Sequence, residues 1–295
     1  MTIKTLIKNY APKLKGKSSS PILDTELLIG RTLNKPKEYL YTYPEKKLTA
    51  NQIERFEKYF QRRLQSEPIA YILGHLEFYS LKFKVNPNVL IPRPETEILV
   101  EQVLKFSKQL AIRHKPFTIC DIGVGSGAII ISLAKNIKNA NFYGTDISPK
   151  ALKLARQNAK THKAKIKFLA GNLLKPIQNL QLAIHNLIIT ANLPYLDQKQ
   201  ENLLASSDAK SLLYEPQIAW DGGIDGLDYY QEFFQQIKDY KIKPLAIFLE
   251  IGHQQTSQIK RLAKEVLANY KVKIIKDLCG HDRIVIITAN NKTSS

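Results

Sequence analysis

Cysteine is scarce in this sequence: its 295 residues include only Cys120 and Cys279. Two cysteines cannot form the several disulfides that stabilise small secreted folds. Cys120 lies in an apolar strand pattern, where a thiol is usually buried and inert. The six histidines show no spacing typical of metal ligands, so we expect no metal. The sequence thus argues against a disulfide framework and a structural zinc site.

Long hydrophobic runs are also missing. No apolar segment approaches the roughly 20 residues that a membrane-spanning helix needs. Lys4 and Lys8 have no apolar stretch behind them, which predicts no secretory signal. Hydrophobic residues still make up 44% of the chain, enough to fill the cores of two domains at this length. We therefore expect a cytoplasmic protein that does not enter membranes.

Acidic residues are outnumbered: 26 Asp and Glu face 44 Lys and Arg, a formal net charge of +18. Such a charge favours contact with nucleic acid, because neutralisation of phosphates drives that binding. Most of the basic residues are lysines spread over the whole chain, as in any protein of a lysine-rich proteome. Charge alone leaves both interpretations open, with a ribosome-associated partner as a third.

The chain begins with a helical pattern that extends from Met1 to about Ile72. Ser20 before Pro21 is typical of a capped helix start, and Thr49 opens a further helix. No catalytic pattern is present in this segment. We interpret residues 1–75 as a small helical bundle that recognises a substrate.

A strand-like alternation follows, and Asn86-Pro87-Asn88 is typical of a turn. This pattern predicts a β-hairpin linker over residues 76–92. Strands and helices alternate after about Lys115, which predicts an α/β fold with a doubly wound, mostly parallel, seven-stranded sheet. The last two strands are expected to pair antiparallel. We assign residues 93–290 to this domain and 291–295 to a polar tail.

A glycine-rich loop, Asp121-Ile-Gly-Val-Gly-Ser-Gly127, follows the first strand of this domain. Glycines let a backbone turn tightly and approach a ligand. The spacing is Gly-x-Gly-x-Gly, which differs from the Gly-x-Gly-x-x-Gly pattern of dinucleotide-binding loops. Asp146 ends the next strand, where an acidic side chain can accept hydrogen bonds from ribose hydroxyls.

A second pattern, Asn192-Leu193-Pro194-Tyr195, follows an apolar β-branched strand. Pro194 cannot continue a central strand, so the chain must leave the sheet at Asn192. An Asn carboxamide and a neighbouring backbone carbonyl can together hold a planar amino group by both its hydrogens. Because Asn and Pro are also common in ordinary turns, the tetrapeptide alone leaves a structural role open.

Arg93 lies between Pro92 and Pro94 just before a predicted helix. Two prolines make this approach stiff, and a helix N-terminus attracts anions. Arg93 is therefore a candidate ligand for a substrate carboxylate, with simple helix capping as the alternative.

The glycine loop with Asp146 resembles the S-adenosylmethionine site of Rossmann-like methyltransferases. The Asn192 tetrapeptide resembles the Asn-Pro-Pro-Tyr motif of enzymes that methylate planar amino groups; Leu193 replaces a proline, but only its carbonyl is needed. Relatives usually carry Asp at position 172 and use it on the adenine, whereas this chain has Asn172. The cofactor-binding residues that the resemblance implies are Asp121, Gly123, Val124, Gly125, Ser126, Gly127, Asp146, Ile147, Asn172, Leu173 and Asn192.

Further motifs extend the resemblance to nearly the whole chain. They are Glu67 to Gly74, Glu77 to Tyr79, Val89 to Glu97, Glu215-Pro216, Asp221 to Leu227, Glu250 to Gln255, and Asp277 to Arg283. Together they resemble the release factor glutamine methyltransferases, the HemK/PrmC family.

That resemblance implies transfer of a methyl group from S-adenosyl-L-methionine to the glutamine amide (N5) in the Gly-Gly-Gln motif of class-I peptide chain release factors. Asn192, Leu193, Pro194 and Tyr195 would be catalytic and, with Arg93, would bind the substrate. We also expect a monomer that needs no direct contact with nucleic acid. The alternatives are an adenine N6-methyltransferase, a non-catalytic RNA- or ribosome-binding factor, and a methylase of a ribosomal-protein glutamine.

Overall fold

The computed structural model describes residues 1–111, 117–178, 186–197 and 207–290. The chain divides into two compact units. As far as they are described, the first contains Met1–Leu76, Val85–Pro87 and 207–216. The second contains Glu77–Lys84, 88–111, 117–178, 186–197 and 217–290. The domain boundaries given above stay a prediction, and the polar tail lies outside the described residues.

The first unit is helical. Its helices are α1 Ile3–Tyr10, α2 Pro21–Leu33, α3 Lys37–Thr42, α4 Ala50–Leu64 and α5 Ile69–Leu73, and α9 Ser207–Leu212 belongs to it as well. Their apolar faces meet in a core that includes Leu6, Leu28 and Phe56. Thr49 caps α4 in a reciprocal pair with Gln52, as the sequence predicts.

The start of α2 differs from the expectation. Ser20 stands at the N-cap position, but among the described residues its side chain makes no capping hydrogen bond. The backbone N–H of Ser20 instead donates to Ser18 Oγ at 2.9 Å. The Pro21 ring at the first helical position already sets the required backbone angle, so α2 begins there without a side-chain cap.

A β-hairpin is present, but its turn is not where the sequence placed it. The strands are β1 His75–Phe78 and β2 Leu81–Lys84. The chain reverses at Tyr79 and Ser80, whose φ angles of 49° and 57° are both left-handed. Two such residues make a tight turn whose twist matches the strands, and glycine or asparagine usually supplies them. Tyr-Ser gives no such signal. The turn predicted at Asn86 to Asn88 is present at Pro87 and Asn88, but it lies beyond β2 and does not join the two strands.

The second unit is the expected α/β fold. Its strands are β3 Phe117–Ile122, β4 Ala140–Asp146, β5 Lys167–Ala170, β6 Leu187–Asn192, β7 Ala246–Glu250, β8 Tyr270–Lys276 and β9 Asp282–Ala289. They form one sheet in the order β5-β4-β3-β6-β7-β9-β8. The first five are parallel, and β9 pairs antiparallel with both β7 and β8. A mostly parallel seven-stranded sheet is thereby confirmed.

Helices of this unit cover both faces of the sheet. They are α6 Thr96–Ala111, α7 Ala128–Asn136, α8 Pro149–Thr161, α10 Asp228–Asp239 and α11 Thr256–Val266. On one face, Phe233 and Ile259 share a core with Leu249. On the other, Phe106 of α6 packs edge-on against Phe248, with ring centroids 5.7 Å apart. Neighbouring residues of β7 thus serve opposite faces, which is the period of a strand buried on both sides.

Candidate functional site

The carboxyl ends of β3, β4, β5, β6 and β7 lie along one edge of the sheet. From β3 the chain first adds β4 and β5 on one side and later β6 and β7 on the other. This reversal between β3 and β6 is a topological switch point, where open α/β sheets bind ligands. The glycine loop follows β3, Asp146 ends β4, Asn172 follows β5, and Asn192 ends β6.

The glycine loop is fixed by hydrogen bonds to the end of β4. The backbone N–H groups of Gly123 and Val124 donate to the Thr145 carbonyl at 2.8 and 3.0 Å. The Gly125 N–H donates to Asp146 Oδ2 at 2.9 Å. Gly125 has a φ of 53°, and a Cβ added there would meet no heavy atom within 4 Å. The loop therefore exposes backbone beside open space, as a ligand cradle requires.

Asp146 has a structural role beside the expected one. Its Oδ1 accepts the Ser148 N–H at 2.8 Å, while Oδ2 holds Gly125. Burial raises the pKa of Asp146, and the two backbone N–H bonds oppose that rise. Each carboxylate oxygen can accept more than one hydrogen bond, so capacity remains for ribose hydroxyls.

Several predicted cofactor residues contribute their backbone only. The side chains of Val124 and Ser126 are buried. A Cβ at Gly127 would come within 2.8 Å of Ile131, so this glycine allows close packing of the helix that follows. The buried Asn158 of α8 donates to the Ser126 carbonyl at 2.8 Å and supports the loop from below.

Asp121 lies inside β3 with a 1% exposed side chain. Its Oδ1 accepts the Thr190 hydroxyl at 2.7 Å, and among the described residues its buried Oδ2 has no hydrogen-bond partner. Burial raises the pKa of Asp121 to about 7. Asp121 is thus buried beneath the loop, where the Thr190 hydroxyl and the backbone N–H of Ile130 oppose the rise of its pKa.

The remaining predicted cofactor residues follow β4 and β5. Ile147 is 52% exposed, an apolar surface suited to a flat base. Asn172 Nδ2 donates to Glu232 Oε1 at 2.5 Å, which leaves its Oδ1 as an acceptor. Leu173 is buried, and its carbonyl accepts the Thr145 hydroxyl at 2.9 Å. Glu232 brings the negative charge that Asn172 lacks, and an aspartate at 172 would meet that carboxylate.

Asn192 ends β6 directly opposite Glu250, the last residue of β7. Asn192 Nδ2 donates to Thr96 Oγ1 at 3.3 Å. Thr96 is the first residue of α6 and is buried. Three elements thus meet at the predicted catalytic amide.

The turn after Asn192 is held by two further segments. Gln255 Nε2 donates to the carbonyls of Tyr195 and Gly226 at 3.1 and 2.9 Å. Leu196 is bonded through its backbone to Trp220 and Gly222, at 2.9 and 2.8 Å. We call this set of contacts the turn clamp. It fixes the backbone that carries the Leu193 carbonyl.

The other predicted substrate residues lie beside this turn. Burial and the nearby Glu250 raise the pKa of the half-buried Tyr195 phenol to about 12. Tyr195 is therefore uncharged, and its ring is an aromatic surface beside the predicted substrate position. Leu193 is buried, and its Cδ2 lies 3.7 Å from where a Cβ of Gly123 would be. Arg93 precedes α6, and its charge acts on both Tyr195 and Glu250.

S-adenosylmethionine fits this edge. Its ribose would lie at Asp146, its base at Ile147 and Asn172, and its methionine end at the loop beside Asn192. The exposed Ile147, the Asn172 oxygen and the open space over Gly125 are the features that such a ligand would use.

Replacing Asp146 by alanine should weaken binding of S-adenosylmethionine by about 1.5–3 kcal/mol, or about 10- to 150-fold in Kd. The variant loses the ribose acceptor and the anchor of the Gly125 N–H. Asp146→Asn keeps one oxygen for Gly125 and should lose less. Calorimetric titration measures both, and an unchanged Kd for the alanine variant would remove Asp146 from the site.

The stability of the protein should depend on Asp121 in a defined pH range. Its pKa is about 7 in the folded state, against an ordinary value of 3.8. The folded state holds the proton more tightly, so this stabilisation is complete below the ordinary pKa and is lost as pH rises through 7. The parent should therefore lose stability between pH 3.8 and pH 7, whereas Asp121→Asn should not. The free energy of unfolding of the variant should rise relative to that of the parent over this range. Parallel curves in urea titrations over this range would contradict the prediction.

Thr96, Glu250 and Gln255 were not predicted as site residues. All three stood only as parts of family motifs, Thr96 in Val89 to Glu97 and the other two in Glu250 to Gln255. Nothing local marks them, because each reaches the turn from a distant segment. From the segment that contains Thr96, the sequence pointed only to Arg93, as a ligand of a substrate carboxylate. The other predicted site residues lie at the same edge of the sheet.

Comparison with known proteins agrees with this geometry. The family described as PrmC N-terminal domain matches residues 5–74, and a methyltransferase domain family matches residues 113–239. The release factor glutamine methyltransferase of Thermodesulfovibrio yellowstonii is 36% identical over 278 residues, which cover 93% of this chain and 95% of that protein. The enzyme of the same name from Coxiella burnetii is 36% identical and covers 97% and 98%.

Among solved structures, the catalytic domain of human METTL16 in complex with an RNA hairpin is similar, with a TM-score of 0.54 and 15% identity. The match covers 72% of this chain and 77% of that one. At that identity the likeness shows the methyltransferase fold alone. The sequence relatives span both units at full length and carry the assignment: this chain belongs to the release factor glutamine methyltransferase family.

Proposed function

We propose that this protein transfers the methyl group of S-adenosyl-L-methionine to the side-chain amide nitrogen of the glutamine in the Gly-Gly-Gln motif of class-I release factors. The observation that carries the proposal is the meeting of Asn192, its turn clamp and the glycine loop at one sheet edge. Relatives that bear this activity in their names match almost the whole chain.

The chemistry asked of these residues is mainly positioning. An amide nitrogen is a weak nucleophile because its lone pair is delocalised, so correct placement is the largest help a protein can give. Bound S-adenosylmethionine supplies a methyl group on a positively charged sulfur. Asn192 Oδ1 and the Leu193 carbonyl accept the two hydrogens of the substrate amide, and the Tyr195 ring covers its plane.

The place of the reaction and the oligomeric state belong to the same proposal. We expect the reaction in the cytoplasm, by a monomer, without a nucleic acid. No helix in the described part of the chain is long and apolar enough to cross a membrane. In the same ranges, no cluster of three or more His, Cys, Asp or Glu side chains could hold a metal ion.

A direct test offers labelled S-adenosylmethionine with a class-I release factor, a variant of that factor with Gly-Gly-Ala, total RNA, and ribosomal proteins in parallel. We expect label on the intact factor only, at the glutamine. Label on RNA with none on the factor would favour the adenine methyltransferase alternative. Label on a ribosomal protein in place of the factor would favour the third substrate class.

The first unit is proposed to recognise the body of the release factor. Ile22 and Leu23 are neighbouring apolar residues of α2 that are 60% and 41% exposed, more than a stable surface needs. Ile22→Ser with Leu23→Ser should raise KM for the full-length factor about tenfold. Activity on a short Gly-Gly-Gln peptide should not change. Equal losses on both substrates would make this surface a support and not a recognition site.

A further inference from the structure

Glu250 is a buried acid placed next to the proposed catalytic amide. It is 1% exposed and pairs in register with Asn192 at the end of the neighbouring strand. Thr96, 3% exposed, lies between them: its hydroxyl hydrogen-bonds to the Glu250 carboxylate and to Asn192 Nδ2. Hydrogen bonds thus connect Asn192 of β6, Thr96 of α6 and Glu250 of β7 in one series.

The hydrogen bonds of this series have a fixed donor-to-acceptor direction. An ionised carboxylate only accepts hydrogen bonds, so the single hydroxyl hydrogen of Thr96 is donated to Glu250. The Thr96 oxygen can then only accept, and the atom of Asn192 that faces it must be the donor Nδ2. Asn192 Oδ1 is therefore turned away from Thr96. Without an acceptor at Glu250, Thr96 could donate to Oδ1, and the amide could rotate by half a turn.

Such an arrangement is costly to build for stability alone. Among the described residues, the buried Oε2 of Glu250 has no hydrogen-bond partner. A buried polar atom left unpaired costs about 1–3 kcal/mol. An apolar side chain of similar size would avoid that cost. The retained carboxylate therefore points to a role beyond packing.

We propose that Glu250, acting through the Thr96 hydroxyl, sets the orientation of the Asn192 amide so that its oxygen faces the acceptor nitrogen. The inference rests on the proposed function of Asn192. Glu250 and Thr96 are positioning residues, because neither needs to touch the substrate.

The primary test is Thr96→Val, which keeps the shape and removes the hydroxyl. We expect kcat for release factor methylation to fall at least about tenfold. KM for the factor and Kd for S-adenosylhomocysteine, measured by calorimetry, should stay within about threefold. Thr96→Ser restores the hydroxyl and should recover most of kcat.

A matched control is available in α11. Thr256 is also the first residue of its helix and donates its hydroxyl to a carboxylate, Asp282, at 2.8 Å. Thr256→Val therefore repeats the chemical change at a helix start without touching Asn192. Loss of kcat in both valine variants would indicate general loosening and would overturn the proposal.

The pH profile gives an independent readout. Burial raises the pKa of Glu250 to about 7. The groups that face it are Thr96, Glu95, Arg93, Arg283, Tyr195 and the hydroxyl of Tyr230 on its backbone carbonyl. Protonated Glu250 offers a competing donor to Thr96, so kcat should rise with pH around 7. Glu250→Gln keeps an acceptor oxygen at every pH, and its profile should lack that rise.

These experiments distinguish the proposed function of Asn192 from the positioning role of Thr96 and Glu250. If Asn192→Ala is inactive but Thr96→Val keeps kcat within about twofold, the positioning role is refuted and the proposed function stands. If Asn192→Ala itself turns over normally, the role of Asn192 fails, and this inference fails with it. An unchanged pH profile in Glu250→Gln would also overturn the role of Glu250.

Discussion

Asn192→Ala should reduce methyl transfer by about 100-fold or more while the affinity for S-adenosylmethionine stays within about threefold. The loss corresponds to about 3 kcal/mol, the cost of one oriented hydrogen bond and the misalignment that follows. The glycine loop and Asp146 do not depend on this side chain, so the cofactor should still bind. Single-turnover assays and calorimetry measure the two effects separately.

Asn192→Asp is the informative companion. It keeps the accepting oxygen but loses the Nδ2 donor that faces Thr96, and it adds a charge beside Glu250. We expect it to be nearly as inactive as the alanine variant. Near-normal turnover by a folded Asn192→Ala protein would remove the orienting role of this residue.

Gly226→Ala should be the most damaging single change outside the tetrapeptide. Gly226 has a φ of 72°, and an added Cβ would collide with the Tyr195 carbonyl and lie 2.6 Å from Gln255 Nε2. Both partners belong to the turn clamp, so the methyl group must displace the turn. We expect a fall in kcat of at least about tenfold, together with a lower melting temperature.

Gly280→Ala is the control for this prediction. Gly280 has a φ of 84°, yet a Cβ there would meet nothing within 4 Å. The two variants share the backbone strain of a left-handed alanine and differ in the collision. Gly280→Ala should lose stability but keep its activity. Equal activity in both variants would show that the clamp does not set the geometry of the turn.

The parts of the site that the sequence could predict are those where local pattern and chemistry coincide. Pro194 forces the chain out of β6, so Asn192 had to stand at the sheet edge. The glycine loop and Asp146 follow successive strands, and their meeting follows from parallel pairing. The spacing of residues along one segment carried all of this information.

The parts that it could not predict depend on contacts between distant segments. Thr96 and Asn192 are 96 residues apart, and only the packed sheet brings them together. The placement of 207–216 with the helical unit is of the same kind: the Tyr214 hydroxyl donates to the Gln65 carbonyl, 149 residues away. No periodicity within either segment reports such a pairing.

The turn clamp also bears on which sequences this family can tolerate. Since Gln255, Gly222 and Gly226 hold the backbone of the turn from outside, the residue at position 193 need not stiffen it. Leucine can therefore replace proline there while its carbonyl keeps its place, and its side chain gains a buried position beside the glycine loop. Position 193 of the tetrapeptide can therefore vary, because the conformation of the turn depends on Gln255, Gly222 and Gly226. Apolar substitutions of similar size at 193 should be mild in this protein and severe in a background where Gln255 has been changed.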